Sequence, residues 1–456
     1  MSQAGKHFVA VIGGAIAGSV AAEILADHGV RVVVIEQNKR PYGKIEDGLP
    51  RWHFEQRKQE YARIDARLKK PGISFLPCTK LGRDLDFQEL CNDWGLSAII
   101  LANGAWRDRA LGVTGSDEFI DKGLVYQNPF IYWYNHKNEK GYDGPRYDPP
   151  DDTLVVGGGL ASIDVVKVLQ LEYYEQALKA RGIQVTMHEL EKKGIPAACK
   201  ARGVQPQELG VKGCFLIYRR RAQDMPLAQP PDNATPEQVL KTESVRVKIL
   251  RNAQEKFLFR FQDHRLTQEL IVENGRLVGL KVAETLVEGR KATAIPGTEH
   301  ELRAPLIISS IGSVPDVIPG VKMKGEYYEF RDWDMAQYAH CDRVFGVGNV
   351  VTGQGNIRSS LVHSQKVTNR LIEQYIGVAE ETEGAEEADF SAFSEPAVAR
   401  GVAQAEAVRE KIQTLPAPST AQIAEIEQRI QALHGKMGYT GDYDTWIAKI
   451  TPPDLE

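Results

Sequence analysis

Short apolar runs separated by glycine turns dominate the amino-terminal part of the chain. Phe8–Ile12 is a run of five apolar residues rich in β-branched side chains, which predicts a buried parallel strand. An alanine-rich helical pattern follows and ends near Gly29, and a second apolar run, Val30–Ile35, ends at the acidic Glu36. This order of strand, helix and strand predicts a βαβ unit with two parallel strands.

The turn between the first strand and the helix has the composition of a nucleotide-binding turn. It consists of Gly13-Gly14-Ala15-Ile16-Ala17-Gly18, and such a turn lets a pyrophosphate contact backbone N–H groups at the positive end of a helix. The pattern G-x-G-x-x-G has its second glycine where this chain has Ala15, which alters the predicted approach of the backbone to the phosphates. Glu36 lies where a carboxylate that accepts a ribose hydroxyl is expected. A dinucleotide site is therefore predicted, and a purely structural βαβ turn is the alternative.

A second strand, glycine turn and helix begin after a stretch rich in proline and aspartate, residues 148–152. An apolar strand pattern leads into Gly157-Gly158-Gly159-Leu160-Ala161, and an apolar-periodic helix continues through Leu171. The next predicted strand, Cys214–Ile217, ends in Tyr218-Arg219-Arg220-Arg221 and not in an acidic residue. Arginine at this place suits a 2′-phosphate on an adenosine ribose, so the unit is predicted to prefer NADP(H) to NAD(H). An exposed basic turn is the alternative.

Two further segments are predicted to reach the same edge of the first sheet. Pro41–His53 is an irregular loop rich in glycine and proline, placed at the carboxyl edge where open α/β folds bind ligands. The apolar run Ser97–Ala102 predicts another strand, and it ends in Asn103-Gly104-Ala105. For His53 the alternative is a structural histidine, and for Asn103 a plain strand terminus.

Composition and charge restrict the class of protein. The 456 residues are enough for two or three domains, and 26% of them are charged. The net charge of −5 gives no reason to expect nucleic acid or an anionic membrane as a partner. The sequence shows no charged-then-apolar leader and no apolar run that could span a bilayer, which predicts a soluble, cytoplasmic protein.

The cysteines exclude two kinds of redox centre from the chain itself. The five cysteines are widely scattered, and none forms a C-x-x-C pair or a C-x-x-C-x-x-C series. A dithiol relay and a bound iron–sulfur cluster therefore lack their residues, and no metal site is predicted. Two dinucleotide units without a cysteine pair predict FAD in the first unit and a nicotinamide nucleotide in the second. Hydride then passes from nicotinamide to flavin, and flavin can release electrons singly.

The chain is predicted to return to the flavin unit after the nicotinamide unit. Val344–Asn349 predicts a strand that ends at a turn, and Gly353–Ile357 predicts the start of a helix that continues to about Tyr375. Backbone N–H groups at that helix start would meet the electron-rich edge of a flavin.

The composition changes after Ile376, and an acidic run covers Glu380–Asp389. A helix capped by Ser419 and ended by Gly435 is predicted near the carboxyl terminus, with Ile and Leu side chains on one face. This tail is predicted to pack on the body of the protein, and a partner contact is the alternative.

Two patterns inside the second unit concern its surface. Lys241–Arg265 leans basic and is a candidate docking face for an acidic partner protein. Glu243, Glu255 and Asp263 are interspersed in it, which favours a solvated strand surface as the alternative. Asn274-Gly275 between two apolar runs predicts a β-hairpin.

Taken together, these motifs resemble adrenodoxin-reductase-type ferredoxin–NADP reductases, with a secondary similarity to the glutamate synthase small subunit. The loop at 41–53 is similar to the family pattern P-[FYG]-G-L-V-R-x-G-V-A-P-D-H at its Pro, Gly and His positions and differs in between. The resemblance covers roughly residues 6 to 376. The other matching segments are Gly82-Arg83-Asp84, Tyr132-Trp133-Tyr134-Asn135, Gly157–Asp164, Arg219-Arg220 and Ile308–Gly312.

The resemblance implies an FAD enzyme that exchanges electrons between NADP(H) and a ferredoxin or another iron–sulfur protein. It implies an α/β fold with two Rossmann-like domains, one inserted in the other, and a helical carboxyl-terminal tail. The expected domains are an FAD domain at 1–147 and 335–378, an NADP(H) domain at 148–334, and an extension at 379–456. The alternatives are a flavin subunit of a larger complex, glutamate-synthase-like or 2-oxoacid oxidoreductase, and a flavin-binding interaction protein with little turnover.

The resemblance also implies roles for individual residues. His53 corresponds to the histidine near flavin and nicotinamide, and Asp164 to the acid after the second glycine turn. Both are expected to organise a proton or water network at the flavin. The predicted FAD contacts are Gly13, Gly14, Ala15, Gly18, Glu36, Gln37, Gly43, Leu49, Asn103, Gly104, Gly348, Asn349, Gly355, Asn356 and Ile357. The predicted NADP(H) contacts are Gly157, Gly159, Leu160, Ala161, Arg219 and Arg220.

Overall fold

The computed structural model describes residues 7–230, 234–332, 336–351 and 391–452. No helix within these ranges is both long enough and apolar enough to cross a membrane. The predicted flavin contacts Gly355, Asn356 and Ile357, and the helix start that contains them, lie outside the described residues.

Strands and helices alternate through most of the described chain. The strands are β1 Phe8–Ile12, β2 Arg31–Ile35, β3 Ile73–Leu76, β4 Ala98–Leu101, β5 Arg107–Asp108, β6 Leu124–Tyr126, β7 Leu154–Gly157, β8 Phe215–Ile217, β9 Arg260–Gln262, β10 Leu266–Glu273, β11 Arg276–Ala283, β12 Thr285–Glu288, β13 Lys291–Ala294, β14 His300–Arg303, β15 Ile307–Ser310, β16 Ser313–Val314, β17 Met323–Lys324, β18 Tyr327–Tyr328, β19 Phe330–Asp332, β20 Gln337–Tyr338 and β21 Val344–Gly346. The α-helices are α1 Ile16–Asp27, α2 Lys44–Asp47, α3 Phe54–Leu68, α4 Phe87–Asn92, α5 Gln127–His136, α6 Leu160–Ala180, α7 Met187–Lys193, α8 Ile195–Lys200, α9 Pro236–Phe257, α10 Ser391–Gln413, α11 Thr420–Met437 and α12 Tyr443–Ile450.

The first sheet has seven strands in the order β19-β20-β21-β4-β1-β2-β3. The five strands from β21 to β3 are parallel, and β20 and β19 add an antiparallel edge. Ile12 of β1 lies opposite both Ile35 of β2 and Leu101 of β4, so these three strands end level with one another. The glycine turn, Glu36 and Asn103 therefore emerge at one edge, as ligand sites of such sheets require.

The second sheet has five parallel strands in the order β6-β15-β7-β8-β9. Gly157 at the end of β7 lies opposite Ser310 of β15, and the preceding Val156 lies opposite Ile217 of β8. The second glycine turn and the arginines after β8 therefore share one edge. The prediction of two Rossmann-like units, one inserted in the other, is confirmed.

The chain crosses between the two sheets earlier than the predicted boundaries at 147 and 334. The two crossings are β5 and β16, which pair antiparallel with Ser313 opposite Asp108. β6 was expected in the first domain but belongs to the second sheet, and β19 begins the return to the first sheet before residue 334. β6 has only three residues, so its apolar pattern is too short to be distinguished from a helix start. The proline-rich stretch at 148–152 is a loop inside the second unit, where Tyr173 donates a hydrogen bond to Pro150 O (2.6 Å).

The segment expected as a strand surface at Lys241–Arg265 is mostly helical, because α9 covers its first seventeen residues. Thr235 caps α9 through a capping box with Gln238, and proline occupies the first helical position. The cap at Thr235 and the proline after it therefore start a helix here, although the mixed charge of the segment had suggested a strand surface. The hairpin at Asn274-Gly275 has positive φ at both residues, 50° and 72°, as a tight hairpin turn between two strands requires.

The carboxyl-terminal helices contact the first unit. The buried residues Ile426, Ile430 and Leu433 of α11 belong to the apolar core beside the first sheet. α11 begins after the predicted cap Ser419 but ends at Gly438, whose φ is +66°, three residues beyond the predicted end. In α12, Trp446 donates a hydrogen bond from Nε1 to Lys39 O (2.9 Å).

Loss of the buried side chain at 426 should destabilise the first unit. Ile426 is fully buried in the core that contains strand residues of the first sheet, so Ile426→Ala should lower the free energy of unfolding by about 3 kcal/mol. Leu240 on α9 is 63% exposed and is the control. Leu240→Ala should change the free energy of unfolding by less than about 0.5 kcal/mol. Denaturant unfolding measures both, and equal effects would show that α11 is not part of the core.

Candidate nucleotide-binding site

One cavity of about 820 Å³ opens at the carboxyl edge of the first sheet and extends to the second unit. Its volume lies in the upper part of the range of small-molecule and cofactor sites. Gly13, Glu36 and Asn103 line it from the first unit, and Ala161 and Asp164 line it from α6. The cavity therefore joins the two nucleotide units that the sequence predicts.

Most of the predicted contacts meet in this cavity, and some lie elsewhere. The predicted residues that line it are Gly13, Ala15, Glu36, Gln37, Gly43, Leu49, Asn103, Gly104, Leu160, Ala161, Asp164, Gly348 and Asn349. The predicted residues that are described but do not line it are Gly14, Gly18, His53, Gly157, Gly159, Arg219 and Arg220.

The first glycine turn is held against the sheet too closely for side chains. A Cβ at Gly13, whose φ is +100°, would lie 2.7 Å from Ala102 O, and a Cβ at Gly18 would lie 1.8 Å from Gly13 O. Glycine is therefore required at both positions. Ala15 replaces the second glycine of the motif, and its methyl group lies against Gly43. A Cβ added at Gly43 would be only 2.9 Å from the Ala15 Cβ. Gly43 thus provides the room that Ala15 occupies.

Glu36 joins the end of β2 to the glycine turn. Its two carboxylate oxygens accept hydrogen bonds from the backbone N–H of Gly14 (2.8 Å) and of Asn38 (2.9 Å). Burial raises the pKa of Glu36 to about 7, against the opposing effect of these two donors. The carboxylate retains lone pairs for further donors, such as the hydroxyl groups of a ribose.

Asn103 lines the cavity and carries a buried acceptor atom. Its Nδ2 donates to the Tyr328 hydroxyl (2.9 Å), which in turn donates to Asp316 O (2.8 Å). Its Oδ1 is buried and has no hydrogen-bond partner within the described part of the chain. A buried amide oxygen without a donor costs free energy, so this atom fits a ligand with a hydroxyl or N–H group.

The loop that follows Gly43 is fixed by the end of α5. Asn135 donates from Nδ2 to the carbonyl oxygens of Glu46 and Leu49, both at 3.0 Å. The next residue, His136, contacts Asp47 Oδ1 through Nε2 (3.0 Å). The Tyr-Trp-Tyr-Asn motif therefore ends in a side chain that holds the cavity loop by its backbone.

His53 lies behind this loop and not on the cavity surface. It is buried, its Nδ1 contacts Gln56 Oε1 at 2.8 Å, and its ring centre is 6.0 Å from that of Trp52. Burial, with the nearby Lys167 ammonium, lowers the pKa of His53 to about 3, which keeps the imidazole neutral. Asp164 lines the cavity from α6, whereas His53 does not line it.

The second glycine turn is as closely packed as the first at two of its three glycines. A Cβ at Gly157 would lie 2.3 Å from Ser310 O, and a Cβ at Gly158 would lie 2.3 Å from the Tyr218 ring. A Cβ at Gly159 would lie 4.0 Å from the Pro226 side chain, an ordinary contact distance. Packing alone therefore does not require glycine at position 159.

The three arginines after β8 differ in what they contact. Arg219 is exposed, and its side chain forms no hydrogen bond or ion pair with any described residue. Arg220 donates to the Tyr218 hydroxyl (3.0 Å) and to Asp224 O (2.9 Å). Arg221 forms an ion pair with Asp224 at 2.7 Å. Arg219 is therefore the arginine whose guanidinium is available to a ligand.

Sequence reasoning missed the cavity residues that lie next to the two crossings. These residues include Trp106, Arg109, Ser313 and Asp316, and Lys44 of the predicted loop at 41–53 contacts Ser313. Their spacing along the chain carries no signal, because the pairing of β5 with β16 brings them together.

Comparison with known proteins supports the same fold. A family model described as an NAD(P)-binding Rossmann-like domain matches residues 11–53. The mitochondrial NADPH:adrenodoxin oxidoreductase of Arabidopsis thaliana is 24% identical over 362 residues, which cover 69% of this chain and 71% of that protein. The glutamate synthase (NADPH) small chain of Escherichia coli strain K12 is 22% identical over 391 residues, which cover 82% of this chain and 69% of that protein.

A solved structure agrees over nearly the whole chain. Mycobacterium tuberculosis FprA in complex with NADPH matches with a TM-score of 0.63 and 15% identity, covering 94% of this chain and 91% of that one. This likeness shows that the chain has the same two-unit α/β fold. The resemblance inferred from the motifs is confirmed, because the relatives found are of the two kinds that it named.

The His136 contact should make stability depend on pH. Burial alone would lower the pKa of His136, but hydrogen bonds to Asp47 and Glu139 outweigh burial and raise the pKa from 6.5 to about 9. The stabilising contribution is therefore complete below pH 6.5 and is lost as the pH rises through 9. His136→Gln should lower the free energy of unfolding on the order of 2 kcal/mol near pH ~6 and much less near pH ~10.

Denaturant unfolding at several pH values measures this difference. His188→Gln changes an exposed histidine and is the matched control, with a change in the free energy of unfolding of less than about 0.5 kcal/mol expected. A cost of His136→Gln that is equal at both ends of the pH range would contradict the prediction.

Proposed function

We propose that this protein is an FAD-dependent oxidoreductase that transfers electrons between NADP(H) and an iron–sulfur protein such as a ferredoxin. The observation that carries the proposal is the shared cavity, which is lined by the glycine turn of the first unit and by the start of α6 in the second. Direct hydride transfer needs the two nucleotides to meet in one enclosed space.

The first unit has the groups that FAD would need. The glycine turn and the start of α1 would hold the diphosphate, Glu36 would accept ribose hydroxyl groups, and Asn103 Oδ1 would accept from a hydroxyl or N–H donor. When bound, FAD supplies hydride acceptance and single-electron release. The protein holds the nucleotide, orients it and limits the access of water.

The two predicted catalytic residues are proposed to act differently. Asp164 lines the cavity beside Leu160 and Ala161, so it is the group that would contact cofactor or solvent there. His53 is buried with a pKa of about 3, so it would act as a neutral hydrogen-bonding group behind the loop and not as an acid. Its contact with Gln56 supports a positioning role.

The second unit is proposed to bind NADP(H). The turn at Gly157 and the start of α6 would hold the diphosphate, and the exposed Arg219 would pair with the 2′-phosphate. Arg220 is already bonded to Tyr218 and Asp224, so its proposed part is to shape the pocket around Arg219.

The acceptor is proposed to be an iron–sulfur protein or an iron–sulfur subunit of a larger complex. The second possibility is favoured by the Escherichia coli relative, which is named as the small chain of glutamate synthase and matches 82% of this chain. For an acidic partner, the exposed residues Lys241, Lys248 and Arg251 of α9 are the proposed contact surface.

Anaerobic titration tests the proposed reaction. The purified or reconstituted protein should contain one FAD per chain, NADPH should bleach the flavin rapidly, and an oxidised ferredoxin should restore its colour. His53→Gln and Asp164→Asn should slow the bleaching in stopped-flow experiments without releasing FAD. A colourless protein that cannot be reconstituted would contradict the proposal, and flavin that NADPH leaves oxidised would favour a binding protein with little turnover.

Loss of Arg219 should weaken the binding of NADPH but not the binding of NADH. Arg219→Ala removes charge-assisted hydrogen bonds to the 2′-phosphate, so the Kd of NADPH should rise roughly tenfold to hundredfold while that of NADH stays unchanged. Arg290→Ala alters another exposed arginine, between β12 and β13, and is the matched control. Equal losses for both nucleotides in Arg219→Ala would place the 2′-phosphate elsewhere.

A further inference from the structure

Lys44 differs from the other cations that line the cavity. Each of the other three has a carboxylate partner, in the pairs Lys80–Asp316, Arg83–Asp84 and Arg109–Glu326. Lys44 forms no ion pair within the described part of the chain. Its Nζ donates to two neutral oxygens, Asn128 Oδ1 (3.2 Å) and Ser313 Oγ (3.1 Å), and lies 5.6 Å from the Trp106 ring centre.

These contacts leave the Lys44 ammonium without a carboxylate at ion-pair distance among the described residues, although Asp108 and Asp316 lie near enough to influence it. An ammonium has three N–H donors, and two of them are used. Burial lowers the pKa of Lys44 to about 8, against the opposing effect of Asp108 and Asp316, so the side chain remains mostly protonated at neutral pH. A partly desolvated cation of this kind attracts an anionic ligand strongly, because the field of a charge is larger in a low-dielectric cavity.

The position of Lys44 relates it to the proposed flavin site. It follows Gly43, whose backbone lies against the methyl group of Ala15 in the first glycine turn. It also takes the place of the leucine in the pattern P-[FYG]-G-L, where an apolar side chain could supply no charge. The lysine therefore adds a charge to a loop that adjoins the start of α1.

We propose that Lys44 pairs with negative charge carried by the flavin nucleotide in this cavity. The inference rests on the proposed function and names a specific residue for it. The charge has two possible sources in the same nucleotide: the diphosphate, which is always charged, and the isoalloxazine ring, which gains negative charge on reduction. Pairing with the diphosphate strengthens binding of oxidised FAD, whereas pairing with the ring strengthens binding of reduced FAD only.

Two neutral variants separate these sources. Lys44→Leu removes the charge and the hydrogen bonds, and Lys44→Gln removes the charge but keeps a donor for Ser313. If Lys44 pairs with the diphosphate, both variants should weaken the binding of oxidised FAD about tenfold. Fluorescence titration of the apoprotein measures this affinity. In the ring case, oxidised FAD should bind as before, and the two-electron midpoint potential should fall by about 30 mV, which corresponds to tenfold weaker binding of reduced flavin.

Lys212→Leu is the matched control, because it removes an exposed lysine that has a carboxylate partner, Asp152, and does not line the cavity. It should change neither quantity. The inference is overturned if FAD affinity and midpoint potential are unchanged in Lys44→Leu, or if Lys44→Gln keeps both wild-type values. Failure of the proposed function looks different, because the wild-type protein itself would then bind no flavin.

Discussion

The steric contact between the first glycine turn and the neighbouring strand end is the constraint on which the site depends. Gly18 of α1 lies so near the backbone of Gly13 that a Cβ at Gly18 would overlap Gly13 O, and Gly13 in turn lies against Ala102. This contact points the start of α1 at the cavity. A side chain at either glycine would displace the helix, the turn and the floor of the cavity together.

The irregular parts of the cavity wall are held by polar contacts and not by apolar packing alone. The segment expected as an irregular loop contains the one-turn helix α2 after Gly43 and a 3-10 helix at Arg51–His53. Asn135 and His136 of α5 fix its first part through the backbone carbonyls of Glu46 and Leu49 and through Asp47. Asp65 accepts hydrogen bonds from both Tyr42, which lines the cavity, and Tyr443 of α12. α12 therefore supports the cavity wall at Tyr42 through Asp65.

Local patterns were sufficient to predict the parts of the site that local chemistry defines. The first strand, its glycine turn and Glu36 are neighbours in sequence or lie one βαβ unit apart, so their spacing predicts their meeting. The crossings could not be predicted, because β5 and β16 are two residues long and their pairing joins positions 205 residues apart. The contacts of Lys44 with Asn128 and Ser313 depend on such distant pairings. The three arginines differ through local side-chain contacts with Tyr218 and Asp224, which the sequence pattern alone does not specify. The prediction of a strand surface after Lys241 was wrong, because a capping box at Thr235 begins a helix that continues to Phe257.

The pairing of β5 with β16 has a mechanical consequence. Both described passages between the two sheets run side by side, so they behave as one short ribbon and not as two separate tethers. A ribbon of this kind bends about a single line but resists sliding along its length. A swing of the second unit about this ribbon would separate Asn135 and His136 of α5 from the segment after Gly43, so these hydrogen bonds oppose it.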